Sequence, residues 1–219
     1  MAGLESLPGR FPIFPLPGAV LLPGGNLPLN IFEPRYLQMV RDAMQTDKVI
    51  GMIQPRGEAE GGEPDADSRP PLYATGCAGR ISSFRETEDG RFLITLTGIA
   101  RFDVTEELDV TTPYRQVVAG FGRWHKDLHP EPPPDALRGD LMAALEGYFE
   151  RQQIEADWDT IKSAPLAGLV TSLAMICPFE PNEKQALLEA EDLNAQAELL
   201  IALMRMALTT SAAETVVRH

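Results

Sequence analysis

The sequence predicts an α+β fold in which a group of β-strands is followed by a group of helices. Between residues 10 and 124, short apolar runs rich in β-branched and aromatic residues alternate with Gly, Pro and Asp, which is typical of strands joined by turns. From residue 135 onward, apolar residues recur at steps of three and four, as on one face of a helix. The proline-rich segment KDLHPEPPP separates the two patterns.

Six or seven strands are predicted in the first region, at spacings typical of a barrel or sandwich. The run RFPIFPL is predicted to be an edge strand, because its prolines cannot donate to a central ladder. Glu88-Asp89-Gly90 is predicted to form a tight hairpin turn, because Asp-Gly favours a positive φ. The other predicted strands are LPLNIF, KVIGMI, ATGCAGRISSFRE, RFLITLTG, ARFDVTEE and YRQVVAGFGRW.

The junction NIFEPRYLQMV is predicted to turn a strand directly into a helix. Pro34 suits the first helical position, because an N–H there would lack an intrahelical acceptor, and Glu33 lies at the positive end of the helix dipole. The predicted buried face consists of Leu37, Val40 and Met44. Two interpretations stay open: a purely structural corner, or one whose Arg35 or Tyr36 contacts a ligand.

Two further segments are predicted to lie outside the strands and helices: one is a loop and the other is a linker. Residues 55–71 hold an acidic run rich in Gly and Pro, which buries too little apolar area to offset its ordering entropy, so a mobile loop is predicted. Residues 125–134 are predicted to link a strand subdomain, residues 1–124, to a helical subdomain, residues 135–219.

The helical subdomain is predicted to contain four helices. Asp135 is a candidate N-cap for residues 136–153, and the apolar residues 166–176 form a buried helix. Pro181 begins a third helix, and Asp192 caps the last. The apolar stripe of that last helix consists of Leu193, Ala197, Leu200, Met204 and Ala207.

The composition excludes several classes of protein. The 219 residues include 19 basic and 32 acidic ones, for a net charge of −13, which disfavours binding to nucleic acid or to anionic membranes. Two cysteines, Cys77 and Cys177, are too few for a disulfide framework in a chain of this length. No run of 18 apolar residues and no signal peptide is found, which favours a cytoplasmic protein.

No catalytic or metal-binding pattern is found, so no enzyme activity and no cofactor are predicted. None of the four lysines follows a glycine, as a phosphate-binding loop requires, and no Gly-x-Ser-x-Gly elbow occurs. His125 and His129 have the spacing of metal ligands on a helix, but prolines follow at once and no cysteine is near.

Several stretches together resemble the N-terminal, substrate-binding domain of Lon proteases. These stretches are FPLPGAVLLPGGNLPLNIFEPRYLQMV, GCAGRI, LTGIARF and PFEPNEKQALLEAEDLNAQAELLIALM. The resemblance spans residues 11–206 and implies a PUA-like β-barrel followed by a helical bundle. In the protease this region helps to recognise protein substrates and supports hexamer assembly. Since the chain stops before the ATPase and proteolytic modules, the resemblance implies a stand-alone bacterial Lon-domain protein.

The resemblance predicts a non-enzymatic module that binds unfolded or extended polypeptide segments. The candidate contact residues are Arg35, Tyr36, Phe84, Phe121 and Trp124. Core packing is the alternative role for each aromatic residue. An adaptor for a specific folded partner is the alternative function, and the oligomeric state stays open.

RNA binding is the third hypothesis, because some PUA-like barrels bind RNA. It would need a local basic patch in an acidic chain. The arginines available for such a patch are Arg80, Arg85, Arg91, Arg101, Arg115 and Arg123.

Overall fold

The computed structural model describes residues 7–57 and 69–216. These residues form a mixed β-sheet and six α-helices, which confirms the predicted α+β class. The helices are α1 (Pro34–Met44), α2 (Leu137–Gln152), α3 (Trp158–Ser163), α4 (Leu166–Ile176), α5 (Pro181–Glu189) and α6 (Leu193–Val216). None of these described helices is long and apolar enough to span a bilayer.

The chain divides into two compact units. Unit 1 comprises residues 1–129 and 179–188, and unit 2 comprises residues 130–178 and 189–219. This division differs from the predicted subdomains, because residues 179–188 return to the unit that contains the strands. Most of the predicted acidic loop, residues 58–68, lies outside the described residues.

Unit 1 is built on a mixed sheet in the order β2-β5-β4-β3-β1-β6, in which β6 also pairs with β5. The strands are β1 (Arg10–Pro15), β2 (Asn26–Ile31), β3 (Val49–Ile53), β4 (Thr75–Glu86), β5 (Phe92–Glu107) and β6 (Gln116–Gly120). The pairings of β5, β4, β3, β1 and β6 therefore close a ring, and β2 is attached to β5 beside it. β1 and β3 are parallel, and the other pairs are antiparallel.

β1 is an internal strand of this ring, so its prediction as an edge strand was wrong. Its two halves pair with different neighbours: residues 10–12 lie opposite β6, and residues 13–15 lie opposite β3. Pro12 therefore pairs with β6 alone, and Pro15 pairs with β3 alone. Such a half-strand tolerates a missing N–H for the same reason that an edge strand does.

β5 is one continuous strand of 16 residues, whereas two strands were predicted, over residues 91–98 and 100–107. Gly98 lets two backbone segments meet: a Cβ there would lie 2.0 Å from the carbonyl oxygen of Leu22. The N–H of Gly98 donates to the carbonyl of Gly25 at 2.9 Å, and the N–H of Gly24 donates to the carbonyl of Gly98 at 3.0 Å. Gly98 thus holds the segment that leads into β2 against β5 through two backbone hydrogen bonds.

The predicted hairpin turn joins β4 to β5. Gly90 has a φ of +79°, and its N–H donates to the carbonyl of Thr87 at 2.9 Å. The N–H of Thr87 in turn donates to the carbonyl of Arg91 at 2.9 Å. The Asp-Gly pair was a sufficient local signal, because few other residues adopt this conformation without strain.

Helix α1 begins at Pro34, as predicted, with Glu33 at its N-cap position. Its buried side chains are Tyr36, Met39, Val40 and Ala43. The predicted face was correct at Val40, but Leu37 and Met44 are half-buried and lie at its margins. Near the other end of α1, the hydroxyl of Tyr114 donates to the carboxylate of Asp42 at 2.7 Å.

The start of the predicted linker belongs to the core of unit 1. Residues Gly122–Leu128 form a 3-10 helix whose Trp124 and Asp127 are buried. Helix α5 is held to the sheet by polar contacts, because Nε2 of Gln54 donates to the carbonyl of Pro181 at 2.9 Å and to Oε1 of Gln185 at 3.1 Å. Both buried amides are thereby satisfied within unit 1.

The apolar core of unit 1 lies among the strands of the ring. The rings of Phe11 and Phe102 meet edge to face with centroids 5.0 Å apart, a favoured aromatic arrangement. The other buried members of this core are Ile13, Val49, Ile53, Ala78 and Val117.

Unit 2 contains the helices α2, α3, α4 and α6. Helix α2 starts one residue later than predicted, and Ala136 rather than Asp135 is its N-cap. The short helix α3 was not predicted; its cap Asp157 accepts hydrogen bonds from the backbone of Asp159 and Thr160, each at 3.1 Å. Helix α4 has the predicted bounds, and Asp192 accepts from the backbone of Ala195 at 3.0 Å at the start of α6.

Candidate functional site

Among its described residues, unit 1 exposes two large aromatic side chains, Phe32 at 61% and Phe84 at 40%. Both lie at the Phe92 end of β5: the ring of Phe84 is 5.0 Å from that of Phe92, and Ile31, which precedes Phe32, pairs with Phe92. We call Phe32 and Phe84, with the adjoining Phe92, the Phe32–Phe84 surface. Exposed aromatic groups of this kind are typical of interaction sites, because water is readily displaced from them.

Two guanidinium groups border the Phe32–Phe84 surface. Cζ of Arg91 lies 6.0 Å from the centroid of Phe32, and Cζ of Arg41 lies 5.0 Å from that of Phe92. Arg91 also forms an exposed ion pair with Asp89 at 2.9 Å. The surface is therefore bordered by the exposed guanidinium group of Arg41 and by the ion-paired group of Arg91.

Strand β2 provides a backbone edge next to these rings. It pairs with β5 through one edge, and among the described residues its other edge has no partner strand. An open edge can accept an extended segment of another chain as an additional strand. Pro28 lies in the middle of β2 and lacks an N–H, so an added strand would be short and side-chain contacts would have to supplement it.

A shallow groove of about 520 Å³ lies on the opposite face of the same strands. Its lining includes Asn30, Ser83, Arg85 and Thr95. Ser83 and Arg85 flank Phe84 in β4, and successive side chains of a strand point to opposite faces. Phe84 thus lies on one face at this end of the sheet, and the hydrogen-bonding groups of the groove lie on the other.

The structure places the predicted contact residues in different surroundings. Phe84 forms part of the Phe32–Phe84 surface, whereas Phe121 is half-buried with its ring centroid 6.3 Å from that of Phe11. Trp124 is 2% exposed, so it belongs to the core and offers no contact surface, which corrects its assignment. Phe32 was missed, although an apolar residue directly before the Glu33-Pro34 break is a usable signal.

Arg35 and Tyr36 contact neighbouring side chains where β2 turns into α1. Nη2 of Arg35 lies 2.8 Å from the carboxylate of Glu33, and its guanidinium carbon lies 4.6 Å from the centroid of Tyr36. Tyr36 is buried, with its ring 4.4 Å from that of Phe14. Burial raises the pKa of the Tyr36 phenol, which therefore stays protonated at neutral pH.

Arg101 is the centre of a buried polar cluster that the sequence did not reveal. Its Nη2 lies 2.6 Å from Oδ1 of Asp127, its Nε lies 2.9 Å from Oδ2, and its Nη1 donates to the carbonyl of Leu188 at 3.1 Å. Its Cζ lies 3.9 Å from the centroid of Trp124, whose indole N–H donates to Asp103 at 3.2 Å. This cluster holds β5, the 3-10 helix and α5 together.

The six arginines considered for an RNA-binding patch lie in different surroundings. Arg101 is buried, and Arg115 is paired with Glu107 at 2.6 Å. Arg123 stacks on Trp124, with its Cζ 4.3 Å from the ring centroid. Arg115 lowers the pKa of the Glu107 carboxyl by hydrogen bonding to it.

The two cysteines are buried thiols. Burial raises the pKa of the Cys77 thiol far above neutrality, so it stays protonated. Within the described ranges, no three His, Cys, Asp or Glu side chains are grouped as ligands for a metal ion.

An α+β unit with exposed aromatic side chains beside an open strand edge has the features of a protein-interaction domain. The family model of the substrate-binding domain of ATP-dependent protease La (LON) matches residues 10–206. The chain therefore belongs to the Lon substrate-binding domain family, which confirms the resemblance seen in the sequence.

Two curated relatives illustrate the extent of this similarity. The chain is 29% identical over 214 residues to Lon protease 2 of Myxococcus xanthus, and 26% identical over 208 residues to Lon protease of Anaeromyxobacter dehalogenans. Each alignment covers 91% of this chain but 24% and 23% of the relative. The chain thus spans about a quarter of the length of these proteases.

Two solved structures share the fold. A Lon N-terminal domain protein from Xanthomonas campestris aligns with a TM-score of 0.61 at 24% identity, covering 88% of this chain and 97% of that one. The N-terminal domain of the Mycobacterium avium complex Lon protease aligns with a TM-score of 0.60 at 14% identity, covering 90% and 98%.

Proposed function

We propose that this chain binds extended polypeptide segments at the Phe32–Phe84 surface and the adjoining edge of β2. The observation that carries the proposal is the exposure of Phe32 and Phe84 beside an open strand edge, in a member of a substrate-binding family. An extended segment would cover the two rings with its apolar side chains and align its backbone with β2. Folded proteins bury such segments, so the site would favour unfolded ones.

The proposal also concerns the type of barrel and the cellular location. We infer that the closed ring of five strands corresponds to the PUA-like barrel implied by the family resemblance, with the Phe32–Phe84 surface at one end of β5. We also infer that the protein acts in the bacterial cytoplasm, since the relatives above are bacterial proteases. In this setting the chain either holds unfolded segments or presents them to another protein.

The first experiment changes the exposed rings. In the double variant Phe32→Ser/Phe84→Ser, binding of reduced and carboxymethylated α-lactalbumin should weaken at least tenfold, because burial of two apolar groups worth about 1 kcal/mol each is lost. Fluorescence anisotropy of the labelled protein would measure the dissociation constant.

The matched control is Ile176→Ser/Met206→Ser, which removes two exposed apolar side chains of unit 2, at 69% and 59% exposure. It should bind like the unchanged chain. Equal weakening in both double variants would mean that general surface hydrophobicity drives binding. Equally tight binding of native, folded α-lactalbumin would also contradict the proposal and favour an adaptor for folded partners.

The proposed binding needs no catalysis by this chain. We expect the purified chain to hydrolyse neither ATP nor casein, because its sequence contains neither a phosphate-binding loop nor a recognised arrangement of nucleophile and base. Release of inorganic phosphate and of acid-soluble peptides would measure the two activities. An activity that disappears with a point substitution in this chain would contradict the expectation.

A further inference from the structure

Unit 2 contains a separate groove of about 390 Å³ at the C-terminal end of helix α2. It is lined by Glu146, Phe149, Glu150, Ile154, Trp158 and Lys162. Phe149 is buried, and its ring centroid lies 5.9 Å from that of the half-buried Trp158. The groove therefore has aromatic walls with carboxylates at its edge.

The two carboxylates lie close together on one face of α2. Glu146 and Glu150 are four residues apart on α2, where like charges face each other and repel. They lie in the last two turns of the helix, near the negative end of its dipole. Along the described chain, no Lys or Arg nitrogen comes within 4.0 Å of either carboxylate.

The surroundings of the groove strengthen its negative potential. Unit 2 contains 13 acidic and 5 basic residues, for a net charge of −8. Lys162 is the cation in the lining of the groove. Its ammonium group forms no ion pair with Glu146 or Glu150, so both carboxylates remain available to a ligand.

We propose that this groove binds an arginine side chain of an extended polypeptide segment. A guanidinium group is planar, stacks on aromatic faces and donates to carboxylates in its own plane. It would lie against Trp158 and donate to Glu146 and Glu150, which relieves their mutual repulsion. The inference rests on the proposed function, because it assumes that the ligand is a polypeptide, and it adds a preference for basic residues.

The test uses two fluorescent peptides of 14 residues that differ in charge. Each carries two phenylalanines, and one carries three arginines where its twin carries three citrullines, which are neutral and of nearly the same shape. The arginine peptide should bind the full chain about tenfold more tightly at low salt, given one cation–π contact and two exposed ion pairs. The indole N–H resonance of Trp158 should shift with this peptide and not with its twin.

Variants assign the preference to the groove. Glu146→Gln/Glu150→Gln should remove the tenfold difference, whereas Lys162→Met should tighten binding of the arginine peptide about twofold by removing a competing cation. Glu131→Gln/Asp135→Asn makes the same change in charge at exposed positions before α2 and should keep the difference. Circular dichroism would verify that each variant is folded.

The outcomes separate this inference from the proposed function. Equal binding of both peptides to the unchanged chain would overturn the arginine site and leave polypeptide binding intact. An arginine preference that survives Glu146→Gln/Glu150→Gln, or that is lost equally in the control, would also overturn it. If neither peptide binds, nor reduced and carboxymethylated α-lactalbumin, both proposals fail.

Discussion

Replacement of Asp127 by asparagine is expected to lower the free energy of unfolding by about 3–5 kcal/mol. The Asp127 carboxylate is buried, lies 2.6 Å from Nη2 of Arg101 and also accepts the backbone N–H of Arg101 at 2.8 Å. Asparagine keeps the shape of the side chain but removes the charge that compensates the guanidinium group. The buried guanidinium group of Arg101 would then lose the negative charge that faces it at 2.6 Å, which costs far more than one hydrogen bond.

Urea-induced unfolding followed by circular dichroism would measure this loss. The matched control is Asp140→Asn in unit 2, because the carboxylate of Asp140 lies at the same 2.6 Å from Nη2 of Arg205. Those two side chains are 57% and 55% exposed, so the control should lose only about 0–1 kcal/mol. Similar losses in the two variants would contradict the argument, because burial is the main difference between the pairs.

Replacement of Val40 by aspartate is expected to be the second severely destabilising change. Val40 is fully buried on the face of helix α1 that also contains Met39 and Ala43. An aspartate there removes apolar packing and buries a carboxylate without a partner, which together should cost several kcal/mol. The thermal unfolding temperature should fall by more than 10 °C or the helix should be lost.

The loss caused by Val40→Asp should depend on pH. Burial raises the folded-state pKa of such a carboxyl above its unfolded value of about 3.9. The destabilisation should therefore be largest above the folded-state pKa and should shrink as the pH falls toward the unfolded value. The control Gln38→Asp, on the exposed side of the same helix, removes the hydrogen bond from Nε2 of Gln38 to Asp42 at 2.8 Å and adds a like charge there, and it should cost only about 1 kcal/mol.

Elements with strong local signals were predicted with accurate bounds. Pro34 after Glu33 gave the start of α1, and Asp89-Gly90 gave the hairpin between β4 and β5. Helix α4 was predicted from an apolar run that ends just before Pro178. In each case the deciding residue restricts its own backbone, so the neighbouring sequence suffices.

Elements that depend on distant contacts were predicted less well. β1 looked like an edge strand because of its prolines, but each half finds a partner in a different part of the chain. The 3-10 helix looked like a linker, since nothing local shows that Asp127 meets Arg101, 26 residues earlier in the sequence. Helix α3 has six residues, too few for a periodic pattern to be recognised.

The residues of the candidate site likewise include some that the sequence indicated correctly and some that it did not. Phe84 was predicted as a contact residue and is exposed, whereas Trp124, chosen for the same aromatic character, is buried against Arg101. An aromatic side chain serves equally well in a core and at an interface, so composition cannot distinguish the two roles. Phe32 became a candidate once the register of β2 against β5 placed it beside Arg91.

By itself, the sequence determined that this protein combines strands and helices in that order and belongs to the Lon substrate-binding domain family. Both conclusions rest on local periodicity and on motifs that can be read along the chain. The tertiary structure decided which aromatic side chains face the solvent, which counter-ion holds Arg101 and where an aromatic groove meets two carboxylates. The first two features depend on residues that are far apart in sequence, and the groove depends on the approach of Trp158 to Phe149, because burial and charge pairing are properties of the packed chain and not of any one segment.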